Sequence, residues 1–282
     1  MLAGAGLMLA GCSDPDDGAA AGDLAVVTSF YPLQFVTERV AGPAATVRNL
    51  TKAGAEPHDL ELGARDVADL GDADLVVYLA GFQPAVDTAV DQEAQDSSYD
   101  VAPAARLDRE ADPHFWLDPT RLADVADAVA DQLAEVDAAG AADFRRNAAT
   151  LRAELVELDA EMSAGLAGCA STDLVTSHTA FGYLAERYGL TQRGITGLTP
   201  EDEPSSSDLA AVADFVAAND VRTIYSETLV SPAVAETLAR ETGTSTAVLD
   251  PLEGLDDSSE GEDYLAVMRA NLATLVDGQS CG

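Results

Sequence analysis

The sequence predicts an α/β protein of two lobes, each a mainly parallel sheet flanked by helices, joined by one long helix. Three observations lead there. Short β-branched runs alternate with helical stretches in the first part of the chain, the alternation gives way to a helical middle, and it then resumes.

In the first part, residues 24–29 read as a strand and 31–40 as a helix. Residues 45–50 follow as a strand, 64–70 as a short helix and 74–79 as a buried strand, the succession of βα units around a parallel sheet. Over residues 121–136, Leu122, Val125, Val129, Leu133 and Val136 fall on one helix face. Past the small residues 138–141 a longer stripe begins: Phe144, Ala148, Leu151, Leu155, Leu158, Met162 and Leu166. Its steps of three and four predict an amphipathic helix over 142–166, roughly 37 Å long and able to cross two lobes. A coiled-coil seam would give a similar stripe, but this one lasts only about three heptads. The alternation then resumes with a strand at 173–177 and a helix at 180–188. A serine-capped helix at 207–218 precedes a strand at 221–226, and a helix opened by Pro232 runs over 232–241. A strand at 244–249 and a closing helix at 264–276 complete the chain.

Charge narrows the possible partners. The 282 residues include 50 acidic against 15 basic, a formal net charge of −35. Such a surface repels nucleic acid and anionic headgroups, so neither is expected to bind. Past the first residues no segment approaches the roughly 18 apolar residues that a membrane span needs.

The first eleven residues are apolar and small, Cys12 follows at once, and residues 13–18 are polar. This pattern reads as the end of a secretory signal. Leu9-Ala10-Gly11-Cys12 resembles a bacterial lipobox, in which the cysteine is lipidated and becomes the first residue. The basic residues that open such a signal are missing, so the true start is expected upstream. Cys169 and Cys281 are the two cysteines left once Cys12 carries lipid, and an exported protein can keep a disulfide. Neither lies in a CxxC or Cys/His cluster. Cys169 precedes the first strand of the second lobe and Cys281 follows its closing helix, so a helix packing back on its own sheet would bring them together.

The chain holds three histidines, His58, His114 and His178, and each falls at a junction where a strand or loop ends. His58 follows a strand, His114 precedes a helix, and His178 ends the strand at 173–177. Asp250 ends a strand in the same manner. Ligands of open α/β sheets bind outside the carboxyl ends of the strands, where such residues converge. Neutral imidazoles suit zinc, copper, iron and nickel, and a carboxylate completes a four-donor set. Spacing alone leaves three structural or surface histidines as the competing reading.

Several ordered motifs decide between them. Thr28-Ser29-Phe30-Tyr31-Pro32-Leu33, Glu56-Pro57-His58-Asp59 and Asp112-Pro113-His114-Phe115-Trp116-Leu117-Asp118-Pro119 come first. Thr176-Ser177-His178-Thr179-Ala180-Phe181-Gly182-Tyr183, Glu203-Pro204-Ser205, Ser226-Glu227, Leu229-Val230-Ser231-Pro232 and Leu249-Asp250-Pro251-Leu252 follow. Over residues 24–276 the chain resembles the cluster A-I substrate-binding proteins of bacterial ABC importers for zinc and manganese, the ZnuA/TroA-like group. The resemblance implies that the linking helix is rigid and that a metal sits between the lobes. It also implies that His58 and His114 come from the first lobe and His178 and Asp250 from the second. A histidine at position 178, where manganese binders typically carry Glu, favours Zn2+ over Mn2+. The acidic stretch 91–111 lacks the histidines of the zinc-collecting loop found in many zinc members, which keeps manganese as the alternative. Trp116 is expected to shield the site, Glu227 to accept a hydrogen bond from a ligand, and Asp59 and Asp118 to cap backbone turns.

These expectations divide the chain into a truncated signal (1–11), a flexible tether after lipidated Cys12 (12–23), a first α/β lobe (24–119), a helical region (120–168) and a second α/β lobe (169–282). The implied protein is a monomer, tied by lipid to the outer face of the cell membrane, that delivers metal to a permease. A hydrolytic zinc enzyme would need an open coordination position and a general base, and no HExxH run supplies them. Nothing in the sequence encodes an adhesive surface, so adhesion ranks as a secondary role. Expressed in a lipoprotein-competent bacterium, the chain should partition with membranes and carry lipid on Cys12. Equal membrane recovery of a Cys12→Ala variant would count against the anchor.

Overall fold

The computed structural model describes residues 24–109 and 111–282; Cys12, the signal at 1–11 and the tether at 12–23 lie outside the described residues. The first part contains β1 (Leu24–Thr28), α1 (Tyr31–Ala41), β2 (Ala45–Asn49), α2 (Ala64–Gly71) and β3 (Leu75–Tyr78). It continues with α3 (Pro84–Glu93), β4 (Ser98–Asp100) and α4 (Ala102–Ala105). The middle is α5 (Pro119–Val136) and α6 (Ala141–Gly165). The last part holds β5 (Asp173–Thr176), α7 (Gly182–Tyr188), β6 (Thr191–Gly194), α8 (Ser206–Ala218), β7 (Thr223–Ser226), α9 (Ala233–Thr242), β8 (Ser245–Val248) and α10 (Tyr264–Gly278).

The strands form two four-stranded sheets of order β2-β1-β3-β4 and β6-β5-β7-β8, and every pair is parallel. Parallel neighbours need a crossover between them, which the intervening helices supply. In both sheets the order reverses beside the first strand, between β1 and β3 and between β5 and β7, leaving a crevice at the carboxyl ends. Elements α3, β4, α4 and β6 were not among those expected. β6 reads Thr-Gln-Arg-Gly and sits half-exposed at a sheet edge, so its pairing owes nothing to hydrophobic patterning.

Helix α6 buries Phe144, Ala148, Leu151, Leu155, Leu158 and Met162, the stripe seen in the sequence. Its other sides tie it to both lobes. Arg39 on α1 pairs with Glu154 at 2.6 Å, and Asn147 donates to the Val40 carbonyl at 2.9 Å. Arg187 on α7 pairs with Asp159, and Arg269 on α10 pairs with Glu161, each at 2.7 Å. One apolar core runs from Val26 and Leu33 through Leu151 and Leu158 to Met268 and Leu275, so the two sheets share it through the linking helices. A smaller cluster covers the outer face of each sheet. Asp118 caps α5 by accepting the Thr120 N–H at 2.9 Å, with Pro119 as the first helical residue.

Past α10 the chain returns to the end of α6, and Cys169 and Cys281 are joined by a disulfide that closes 112 residue steps. The backbone bonds Ala170 N–H to Ser280 and Ser171 N–H to Gln279 zip the two segments together beside it. Replacing both cysteines by serine should lower the unfolding free energy by about 2–4 kcal/mol in urea titration of the oxidised protein. Identical midpoints for oxidised and reduced wild type would contradict a stabilising bond.

Candidate metal centre

His58, His114 and His178 converge on one point, together with Glu253. His58 stands on the loop after β2, held to the first sheet where Thr51 donates to the Ser29 carbonyl at 2.7 Å and buried Gln83 donates to the Pro57 carbonyl at 3.1 Å. His114 precedes the short turn 115–117 that leads into α5. His178 lies two residues beyond β5. In the β5–β7 register Thr176 faces Tyr225, so continuing two steps sets His178 beside Glu227.

The Glu253 carboxylate is the common contact. Its Oε1 lies 3.2 Å from His58 Nε2, 3.0 Å from His114 Nε2 and 3.2 Å from His178 Nε2, while the Nε2 atoms of His114 and His178 are 3.4 Å apart. Donors at about 2.0–2.1 Å from a tetrahedral zinc stand about 3.3–3.4 Å from one another, so these separations outline such a shell. His114, His178 and Glu253 are buried, whereas the His58 ring is 10% exposed and marks the way in. Phe82 packs edge-on against His58 at 4.8 Å, and Trp116 against His114 at 5.2 Å. This aromatic wall is apolar and holds water off, which strengthens the electrostatic contacts inside.

Each histidine has its backbone N–H held by a carboxylate: His58 by Glu56 at 3.0 Å, His114 by Asp112 at 3.1 Å and His178 by Glu227 at 2.9 Å. In two of the three the acid also takes the ring Nδ1–H, Asp112 from His114 at 2.8 Å and Glu227 from His178. That fixes the tautomer and turns Nε2 toward the cluster. Glu227 thus accepts from a candidate ligand, as its position beside the strand end suggested. Asp112 lay inside a quoted motif without a role; its spacing two residues before His114, matching Glu56 and His58, was the available signal. The Asp59 carboxylate lies with Glu56 and Glu201 in an outer acidic group.

Asp250 is not among the four. Its Oδ1 accepts the Leu252 N–H at 2.8 Å and its Oδ2 the Ser259 hydroxyl at 2.9 Å. Its own N–H and C=O are both taken by the Asn271 amide. Asp250 therefore anchors a turn. Leu252 adopts φ +58° within it, and the chain so reversed carries Glu253 into the crevice. A strand-end argument stops at residue 250. The carboxylate that reaches the cluster is three residues farther on, in a stretch marked only by Pro251 and Gly254.

Protonation follows from this packing. Burial pulls His178 down, but the carboxylates of Glu227 and Glu253 outweigh it and raise its pKa to about 10. Burial likewise opposes charge on His114, and the bonds to Asp112 and Glu253 overcome it. Burial pushes Glu253 up, yet hydrogen bonds from His114, His178 and His58 hold it well below the usual carboxylate range. Without a metal, protons on His114 and His178 compensate the buried acid; a divalent ion must displace them, so affinity is expected to rise with pH through neutrality. Glu253→Ala should lower zinc affinity by at least about tenfold. Asp250→Asn, which keeps an oxygen for the Leu252 N–H, should change it by less than about threefold. Competition against a chromogenic chelator measures both, and the reverse order would return the ligand role to Asp250.

Residues 26–278 match the family described as "Zinc-uptake complex component A periplasmic", ZnuA. The chain is 36% identical over 293 residues to the zinc-binding lipoprotein AdcA of Streptococcus pneumoniae, with 95% of this chain and 58% of that protein covered. It therefore spans little more than half the length of that relative. Among solved structures, the laminin-binding protein Lmb of Streptococcus agalactiae, described as having adhesin and metal-transporting activity, superposes with a TM-score of 0.84 at 34% identity, covering 91% of this chain and 99% of that one. The Zn(II)-bound ZnuA-like domain of S. pneumoniae AdcA gives a TM-score of 0.79 at 37% identity, covering 92% and 99%. The fold, the crevice between two parallel sheets and the match over nearly the whole described chain lead to one assignment: the protein belongs to the ZnuA family.

Proposed function

We propose that this protein captures a divalent transition metal, zinc before manganese, between His58, His114, His178 and Glu253 and delivers it to the permease of an ABC importer. One observation carries the reading. Three imidazole nitrogens and one carboxylate oxygen approach within 4.8 Å of one another, and four of their separations, 3.0 to 3.4 Å, are those of a tetrahedral shell. A fourth protein donor closes the shell and leaves no position for an activated water, which suits holding rather than hydrolysis. Zinc accepts four mixed nitrogen and oxygen donors, whereas manganese prefers more oxygen. Relatives named as zinc-binding support the same choice.

On this reading the ion is cargo, and the protein works as a monomer outside the cytoplasm, tethered through Cys12. No helix among the described residues is long and apolar enough to cross a membrane. The first lobe (24–119) and the second (169–282) hold the ion between them, with the region 120–168 as the joining element. Adhesion, named for the Lmb relative, is a secondary reading.

Protein purified without added metal should contain close to one zinc per chain by elemental analysis. In competitive titration zinc should displace manganese at equal concentrations. A preference for manganese would reverse the ranking, and binding of neither ion would end the proposal.

A further inference from the structure

Of the four chain segments that meet at the cluster, two are joined by a bond outside it. Trp116, two residues after His114, donates its indole Nε1–H at 2.8 Å to the carbonyl of Pro251, two residues before Glu253. The same residue is gripped from a third direction, because the Tyr264 phenol on α10 donates to the Trp116 carbonyl. Trp116 and Tyr264 are fully buried, so no water can replace either bond. The ring itself packs against the touching pair Phe30 and Phe82 of the first lobe, at centroid distances of 4.9 and 5.8 Å. It also contacts the His114 ring.

We infer that Trp116 is a positioning residue, which sets Glu253 relative to His114 through its indole N–H and thereby fixes how tightly the metal is held. The turn that carries Glu253 is otherwise anchored within the second lobe, through Asp250 to Leu252, Ser259 and Asn271, and to the loop that bears His58, where the Gly54 N–H donates to the Leu255 carbonyl at 3.2 Å. Those bonds fix the shape of the turn. They do not fix its distance from the segment bearing His114. The indole bond runs directly between the two ligand segments, and donors displaced by a fraction of an ångström lose the bond lengths that zinc requires. A packing role alone would need only a large aromatic surface.

The inference rests on the metal-holding reading of the cluster, and a double-mutant cycle separates them. Trp116→Phe keeps a buried ring and removes the N–H, leaving the Pro251 carbonyl without that donor. Zinc affinity of the folded protein, measured well below its melting temperature, should fall about tenfold. In a Glu253→Ala background the same substitution should change affinity by less than about twofold, since there is no carboxylate left to position. Equal losses in the two backgrounds would overturn the inference while leaving the metal site standing. Failure of wild type to bind metal would instead remove the reading beneath it. Trp116 is the sole tryptophan, so growth of a tryptophan auxotroph on the benzothienyl analogue replaces this one indole by a ring of the same shape without the N–H. That form tests the bond if Trp116→Phe does not fold, and wild-type affinity in it would refute the inference.

Discussion

The carboxylate of Glu253 is an anion buried at the meeting point of two lobes, and the surrounding structure is organised by the need to compensate it. An uncompensated ion in such a place costs several kcal/mol, so it persists only with cations or strong donors on its oxygens. Three imidazoles meet that need, and the groups behind them extend it outward. Asp112 and Glu227 favour a positive charge on His114 and His178, while the aromatic wall of Phe82 and Trp116 keeps out water that would weaken the interaction. On the proposed function, the protons favoured on His114 and His178 and one divalent ion carry the same charge, so exchanging them would change the net charge of the cluster little.

The duplication visible in the fold reaches the site. Both sheets have the same strand order with the same reversal, and each delivers a histidine from beyond a strand end. The tripeptides Glu56-Pro57-His58 and Asp112-Pro113-His114 repeat a local device: proline keeps the residue before it extended, and the acid folds back on the histidine N–H. His178 reaches the same result across two strands, with Glu227 supplied by β7. Two routes therefore give one outcome, a backbone amide satisfied by the acid that also charges the neighbourhood.

Legibility in the sequence followed the strength of each physical signal. The stripe from Phe144 to Met162 repeats over about five turns, and the helix it predicted begins at Ala141, one residue from the expected start. Strands β1, β2, β5 and β7 announced themselves by β-branched or apolar runs and end within two residues of expectation. β6, with no apolar residue, and β4, three residues long, carry nothing that periodicity could find. At the site, the three histidines were conspicuous through rarity and position. Glu253 was hidden among 50 acidic residues, and what selects it is the φ of Leu252 and two bonds of Asp250, neither of which has a sequence period. Asp250 drew attention because it ends the strand; its actual work is to shape the turn.

Helix α6 gives the molecule a lever. Of its 25 residues, Asn147 near the start and Glu154 at the middle fasten one lobe, and Asp159 and Glu161 toward the end fasten the other, so the attachments spread over roughly 21 Å. A coordination bond of about 2 Å is lost when its donor withdraws by roughly 1 Å. Over an arm of that length, such a displacement corresponds to a tilt of only about 3°. On the proposed function, release of a single ion would therefore need only a slight bend of this helix and no wide clamshell motion of the lobes.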